Sequence, residues 1–200
     1  MSSSTAFWLF AVVAWAALTF VLLRLRRWLL FYLVGAFGFV LLVAYGAGTF
    51  NVDTVIESIE ARQVAALSHF LAISVAVFDS TGLAIPNHTG WAVFDIGLEC
   101  SAILEMAAVV GLTAFYPAFR PIKRAAFGLT GLAATYVINI LRVLLIVAII
   151  SVFGTKWVFV SHAVIGRVFF FTATIVLYWF LMTRPTVGFT GKRVEELKRS

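Results

Sequence analysis

Apolar residues fall in long blocks along this chain, and five of the blocks are long enough to cross a bilayer as helices. They run over 6–23, 28–50, 98–119, 125–153 and 163–182; a crossing needs about 20 predominantly apolar residues. A sixth block, 64–84, is interrupted by Ser68, His69, Ser74, Asp79 and Ser80, which leaves open whether it crosses. Residues 56–78 read as a helix whose second half is apolar enough to lie in the membrane interface or half-insert against the bundle. The short apolar stretches 83–85 and 91–96 flank Pro86-Asn87-His88-Thr89-Gly90 and predict a short hairpin leading into the block at 98. Trp8, Trp28, Tyr116 and Trp157 fall near predicted helix ends, as interface aromatics do. The pattern describes an all-α polytopic membrane bundle: about five transmembrane helices, an external interfacial or half-inserted helix, and a hairpin. Residues 1–183 form a single transmembrane domain and 184–200 a short basic cytoplasmic tail.

Charge orients the bundle. Arg24, Arg26 and Arg27 form one basic cluster; Arg120, Lys123 and Arg124 form a second; Arg184, Lys192, Arg193, Lys198 and Arg199 form a third. Five crossings put all three on one side, with the N-terminus opposite. That accounts for 11 of the 15 basic residues, so the positive-inside rule makes that side cytoplasmic. If 64–84 crossed as well, the first cluster would lie opposite the other two. Five crossings is therefore the better reading. It leaves 51–97 as an external segment holding five of the nine acidic residues: Asp53, Glu57, Glu60, Asp79 and Asp95.

Composition narrows the class further. Of the 200 residues 62% are hydrophobic and 12% charged, with a mean hydropathy of +1.04, far above a soluble domain. The net charge of +6 comes from clusters flanking apolar blocks, not from a nucleic-acid-binding surface. No basic region precedes the first block and Arg24 follows it directly, so it reads as a retained span, not a cleaved signal peptide. No metal-ligand spacing, glycine-rich phosphate loop or dinucleotide fingerprint is present, and no cofactor is expected.

Three residues carry candidate chemistry. Cys100 is the only cysteine and opens the third crossing block; a lone thiol cannot form an intramolecular disulfide. Arg142 lies inside the fourth block, where an arginine costs about 2.5–3.5 kcal/mol on insertion scales and usually serves a function. His162 stands at the start of the fifth block. Cys100 falls at the outer end of its helix. Arg142 is about 25 Å along a helix that starts inside at Ala125, counting 1.5 Å per residue, and His162 follows an external loop over 154–161. All three reach the outer membrane face. The set suits acyl transfer: a thiol nucleophile activated by neighbouring His or Arg, a histidine as general base and then general acid, and an arginine that stabilises an oxyanion. Asn139, one turn before Arg142, is placed to orient the guanidinium or donate a second hydrogen bond. Ser101 is an alternative nucleophile.

Glu99-Cys100-Ser101-Ala102-Ile103, then Asn139-Ile140-Leu141-Arg142, then His162 resemble the exosortase/archaeosortase family of polytopic cysteine transpeptidases, whose site runs Cys, Arg, His. The resemblance covers about 91–171 and looks closest to the short Gram-positive branch. The family pattern has glycine after Cys-Ser, where this chain has Ala102. The resemblance implies Cys100, Arg142 and His162 as the catalytic set, and a plasma-membrane enzyme with its site near the extracytoplasmic face. It further implies substrates that are exported proteins with a C-terminal tripartite signal: a short motif, a transmembrane helix and a basic cluster. A thioester on Cys100 would be resolved by an acceptor, a membrane lipid, lipid-linked or surface glycan component.

Other readings use the same residues. Cys100 can be a small apolar filler, Arg142 can pair with Glu99 or Glu105, and His162 can be an interfacial histidine. Arg167, five residues after His162, is expected on a different face and is the second-choice cationic residue. Glu105 is expected about 140° around the helix from Cys100, as an arginine's structural partner. Phe169–Phe171 are expected to face lipid or pack. His69 and His88 read as plain polar residues. At the level of function, a small transporter or channel subunit and a noncatalytic membrane assembly protein stand as alternatives.

Overall fold

The computed structural model describes residues 3–88, 90–97 and 100–184. The basic tail from 185 onward, Thr89 of the hairpin loop, and Leu98 and Glu99 beside the cysteine lie outside the described residues.

The protein is mostly helical, and four of its helices are long and apolar enough to cross a membrane. They are α1 (Ser3–Arg24), α2 (Trp28–Phe50), α5 (Pro121–Phe153) and α6 (Thr155–Thr183). α1 is apolar all round and exposes Phe7, Phe10, Val13 and Phe20, as a lipid-facing helix does. It packs on α2 through tryptophans laid over glycines. Trp8 and Trp15 donate their indole N–H to the carbonyls of Leu42 and Val34, each at 3.0 Å. A Cβ at Gly38 would come within 2.2 Å of the Trp15 ring, so only glycine lets the ring lie there.

The expected fifth crossing is shorter than its apolar block. α4 (Ile103–Ala114) has 12 residues, about 18 Å of helix against a hydrocarbon core of about 30 Å. Ala102, just before it, adopts a left-handed conformation (φ 52°) that starts the helix three residues after Cys100. At its far end, the side chain of Arg124 donates to the carbonyls of Phe119, Ala114 and Pro117, closing the turn into α5.

The sixth apolar block does not form a crossing helix. Asn51, also left-handed (φ 54°), turns the chain directly from α2 into α3 (Val52–Phe70). α3 starts and stops earlier than the expected 56–78 helix, because the chain turns at Leu71 and Ala72 (φ 58°). The remainder of that block becomes strand β1 (Ala76–Phe78). β1, β2 (Gly82–Asn87) and β3 (Gly90–Asp95) form an antiparallel sheet in that order. The hairpin is thus present, with its first strand longer than expected, and it carries a third strand.

One face of the sheet is buried. Leu83 opposes Phe94 and Ile85 opposes Ala92, and all four are buried, while Trp91, Val93 and Asp95 point outward. This face packs with Ala61 and Val64 of α3 against Ile140, Val143, Ile146, Val147 and Ile150 of α5. The C-terminal part of α5 therefore belongs to a core shared with the sheet and α3. Cys100 lies in that same core.

Candidate functional site

Three segments meet at the cysteine. β3 and Ile96 deliver the chain to a tight turn in which the backbone N–H groups of Cys100 and Ser101 both donate to the Gly97 carbonyl, at 2.8 and 3.1 Å. Cys100, Ser101 and Ala102 are buried. The cysteine thus precedes α4 instead of sitting within a helix, so helical spacing from Cys100 does not locate Glu105.

α6 supplies His162. Its first residues form a single 3₁₀ turn, Thr155–Trp157, after a break at Gly154, so the expected loop over 154–161 is mostly helix. Ser161–Gly166 then widen into a π-helix, a feature found frequently at functional sites. The Cys100 Sγ lies 3.6 Å from His162 Nδ1 and 3.9 Å from Nε2. The Phe94 ring stands 5.2 Å from the imidazole, tilted by 60°, and fixes one side of it.

α5 supplies Asn139 and Arg142, both buried. The Asn139 Nδ2 donates to the Cys100 carbonyl at 2.6 Å and to Glu60 Oε2 at 3.3 Å. The Asn139 amide donor thus faces the cysteine backbone and α3. The Arg142 guanidinium sits over the Phe170 ring, 5.4 Å from its centroid. Phe170 is buried under that cation and is not lipid-facing, whereas Phe171 is exposed.

A cavity of about 500 Å³ opens beside Arg142, lined by Glu105, Arg167, Phe170 and Thr174 among others. Arg167 thus faces the same space as Arg142. Glu105 lines the same space as the two arginines.

The structure also brings in a residue that sequence reading left among the external acids. Glu60 is fully buried. Burial is the main cause that raises its pKa to about 8; the Asn139 hydrogen bond and the Arg142 charge pull it down, while Glu57 and Glu105 push it up. Glu57, one turn earlier, is also shifted up, by burial first and then by Asp53 and Asp95. A signal existed in the sequence: Glu57, Glu60, Ala61, Val64 and Ser68 form one buried stripe of α3 at helical spacing. A carboxylate within an apolar stripe marks a buried acid.

The arrangement joins a thiol to an imidazole, holds the thiol's own carbonyl with a buried amide, and sets a guanidinium one turn along the same helix. No protein-family model matches this chain, and neither a curated protein nor a solved structure matches it.

Proposed function

We propose that this chain is a membrane-embedded cysteine transpeptidase of the exosortase/archaeosortase type. It would cleave the C-terminal sorting signal of exported proteins through a thioester and pass them to a surface acceptor. The observation that carries the proposal is the 3.6 Å approach of Cys100 Sγ to His162 Nδ1 across 62 residues of chain. A filler cysteine needs no imidazole, and an interfacial histidine needs no thiol.

The chemistry runs as follows. His162 takes the thiol proton as Cys100 Sγ adds to the carbonyl carbon of the scissile peptide. The carbonyl π electrons move to oxygen, where Arg142 stabilises the negative charge. Collapse of this intermediate breaks the C–N bond, and the imidazolium returns the proton to the leaving amine. The released helix departs, leaving the protein as a thioester on Cys100. A hydroxyl or amine acceptor then attacks with His162 as base, and the thiol leaves with the proton restored to it. Water in place of the acceptor gives hydrolysis.

For the membrane we propose five crossings: the four long helices and α4 with the irregular segment ahead of it. Irregular backbone at membrane depth is tolerated where protein buries it, and Cys100, Ser101 and Ala102 are 3%, 0% and 0% exposed. The three basic clusters then share the cytoplasmic side, with Cys100 toward the outside of the plasma membrane.

The test is processing of a tagged exported protein with a C-terminal helix and basic cluster, co-expressed with this chain. The wild type yields a shortened product and a hydroxylamine-labile adduct on Cys100. Unchanged processing by Cys100→Ala would sink the proposal. The cavity between Arg142, Arg167 and Glu105 favours one competing reading, a transport path. Liposome flux that requires Arg142 but tolerates Cys100→Ala would support transport instead.

A further inference from the structure

The residues that hold Cys100 in place do not end at Asn139. Its Nδ2 is shared between the Cys100 carbonyl and Glu60 Oε2, while Glu60 Oε1 and Asn139 Oδ1 are buried with no hydrogen-bond partner. A buried carboxylate has about four acceptor sites to fill, and this one has a single shared donor. A carboxylic acid suits the site better. It needs fewer donors, and its own hydroxyl can donate to the orphaned amide oxygen after a small rotation.

The surroundings agree. α3 itself brings Glu57, α4 brings Glu105, and α5 brings Tyr136 and Arg142. α2, β1 and β2 contribute no charged side chain, and Asp95 of β3 acts on Glu57. Two carboxylates and one guanidinium therefore act on Glu60, so the field does not favour its ionised form. A negative charge there would also draw on Arg142, which acts on Glu60 directly.

We propose that Glu60 is a positioning residue for Cys100, acting through the Asn139 amide, and that it does so in its uncharged form. The inference rests on Cys100 being the reactive thiol. Protonated Glu60 fixes the rotamer and orientation of Asn139, and Asn139 fixes the Cys100 carbonyl and hence the thiol opposite His162. Ionisation leaves the buried oxygens short of donors, loosens Asn139 and diverts Arg142. The pKa near 8 puts this switch within reach of ordinary buffers.

Two measurements on the full-length protein in nanodiscs test it. Infrared difference spectra between pH 6 and pH 9.5 should show a protonated-carboxyl band that disappears with a midpoint near 8 and is absent in Glu60→Gln. This band does not depend on any processing activity, so it survives failure of the transpeptidase reading. Processing by the wild type should fall on the alkaline side with the same midpoint. Glu60→Gln, uncharged at every pH, should match the wild type at pH 7 and keep its activity past pH 8. Glu60→Leu should lose about tenfold at all pH values, the scale of one buried hydrogen bond. An alkaline fall in Glu60→Gln identical to the wild type's overturns the proposal, as does a Glu60→Leu enzyme with wild-type rates. A wild-type carboxyl band absent at pH 6 overturns it too.

Discussion

Replacing Asn139 with leucine should release Cys100 without unfolding the protein. The amide donates 2.6 Å to the Cys100 carbonyl and 3.3 Å to Glu60. Leucine leaves both acceptors buried and unpaired, at about 1–3 kcal/mol for the carbonyl and less for the longer bond. The added methyl groups recover about 1 kcal/mol by packing into the adjoining apolar core. The net cost is about 2 kcal/mol. The backbone N–H groups of Cys100 and Ser101 both go back to Gly97, within the same turn. The cost therefore falls on local opening rather than on the bundle. At about 1.4 kcal/mol per tenfold, opening rises about 30-fold. Because Cys100 is the only cysteine and is 3% exposed, alkylation reports that opening directly. The rate of modification by a small neutral maleimide, followed by intact mass, should rise about 30-fold in Asn139→Leu, with the melting transition little moved. A labelling rate within twofold of wild type would refute the reasoning, since it would mean the amide does not hold the cysteine.

Other consequences are equally direct. His162→Gln should lower processing by about 10²-fold or more, the scale of general acid–base catalysis, with an unchanged melting curve; a smaller drop would remove His162 as the proton carrier. Ala102 is left-handed and fully buried, so Ala102→Gly relieves about 1 kcal/mol of backbone strain but gives up a buried methyl worth about 0.8 kcal/mol. The melting temperature should hardly move, whereas Ala102→Val, β-branched at positive φ, should abolish folded expression. Glu60 binds its proton more tightly when folded, so between its unfolded value of 4.5 and about 8 the unfolded state releases a proton that the native state keeps. Stability should fall as pH rises through that window, by at most about 1.4 kcal/mol per pH unit, and Glu60→Gln should flatten the slope. A wild-type melting temperature that rises from pH 5 to 8 would contradict the sign.

Much of the helical framework was legible because hydropathy alone specifies it: α1, α2, α5 and α6 lie within two or three residues of their blocks, apart from the earlier starts of α5 and α6. The hairpin was legible from Pro86 to Gly90. What was not legible depends on partners distant in sequence or on unmarked backbone turns. Ala72 and Ala102 take left-handed conformations that no glycine or proline announces, so the end of α3 and the late start of α4 were hidden. β1 is three residues long and exists by pairing with β2. The pairing of Cys100 with His162 was anticipated as convergence at one depth, but the place of Asn139 was not, because its partner Glu60 is 79 residues away. The π-helix over Ser161–Gly166 leaves no mark in composition.

α5 runs unbroken from Pro121 to Phe153, with no later proline to bend it. Its length of about 50 Å exceeds the hydrocarbon core by about 20 Å. One stiff rod therefore carries Asn139 and Arg142 and also the residues that seat the sheet. Such a rod has no hinge of its own, so admitting a polypeptide from above would mean breaking the packing of the sheet against α5. On the proposed function, a substrate would instead slide in sideways through the lipid, already threaded into the bilayer. Membrane insertion would then be an entry ticket: a water-soluble peptide with a perfect cleavage motif would diffuse past the cysteine untouched.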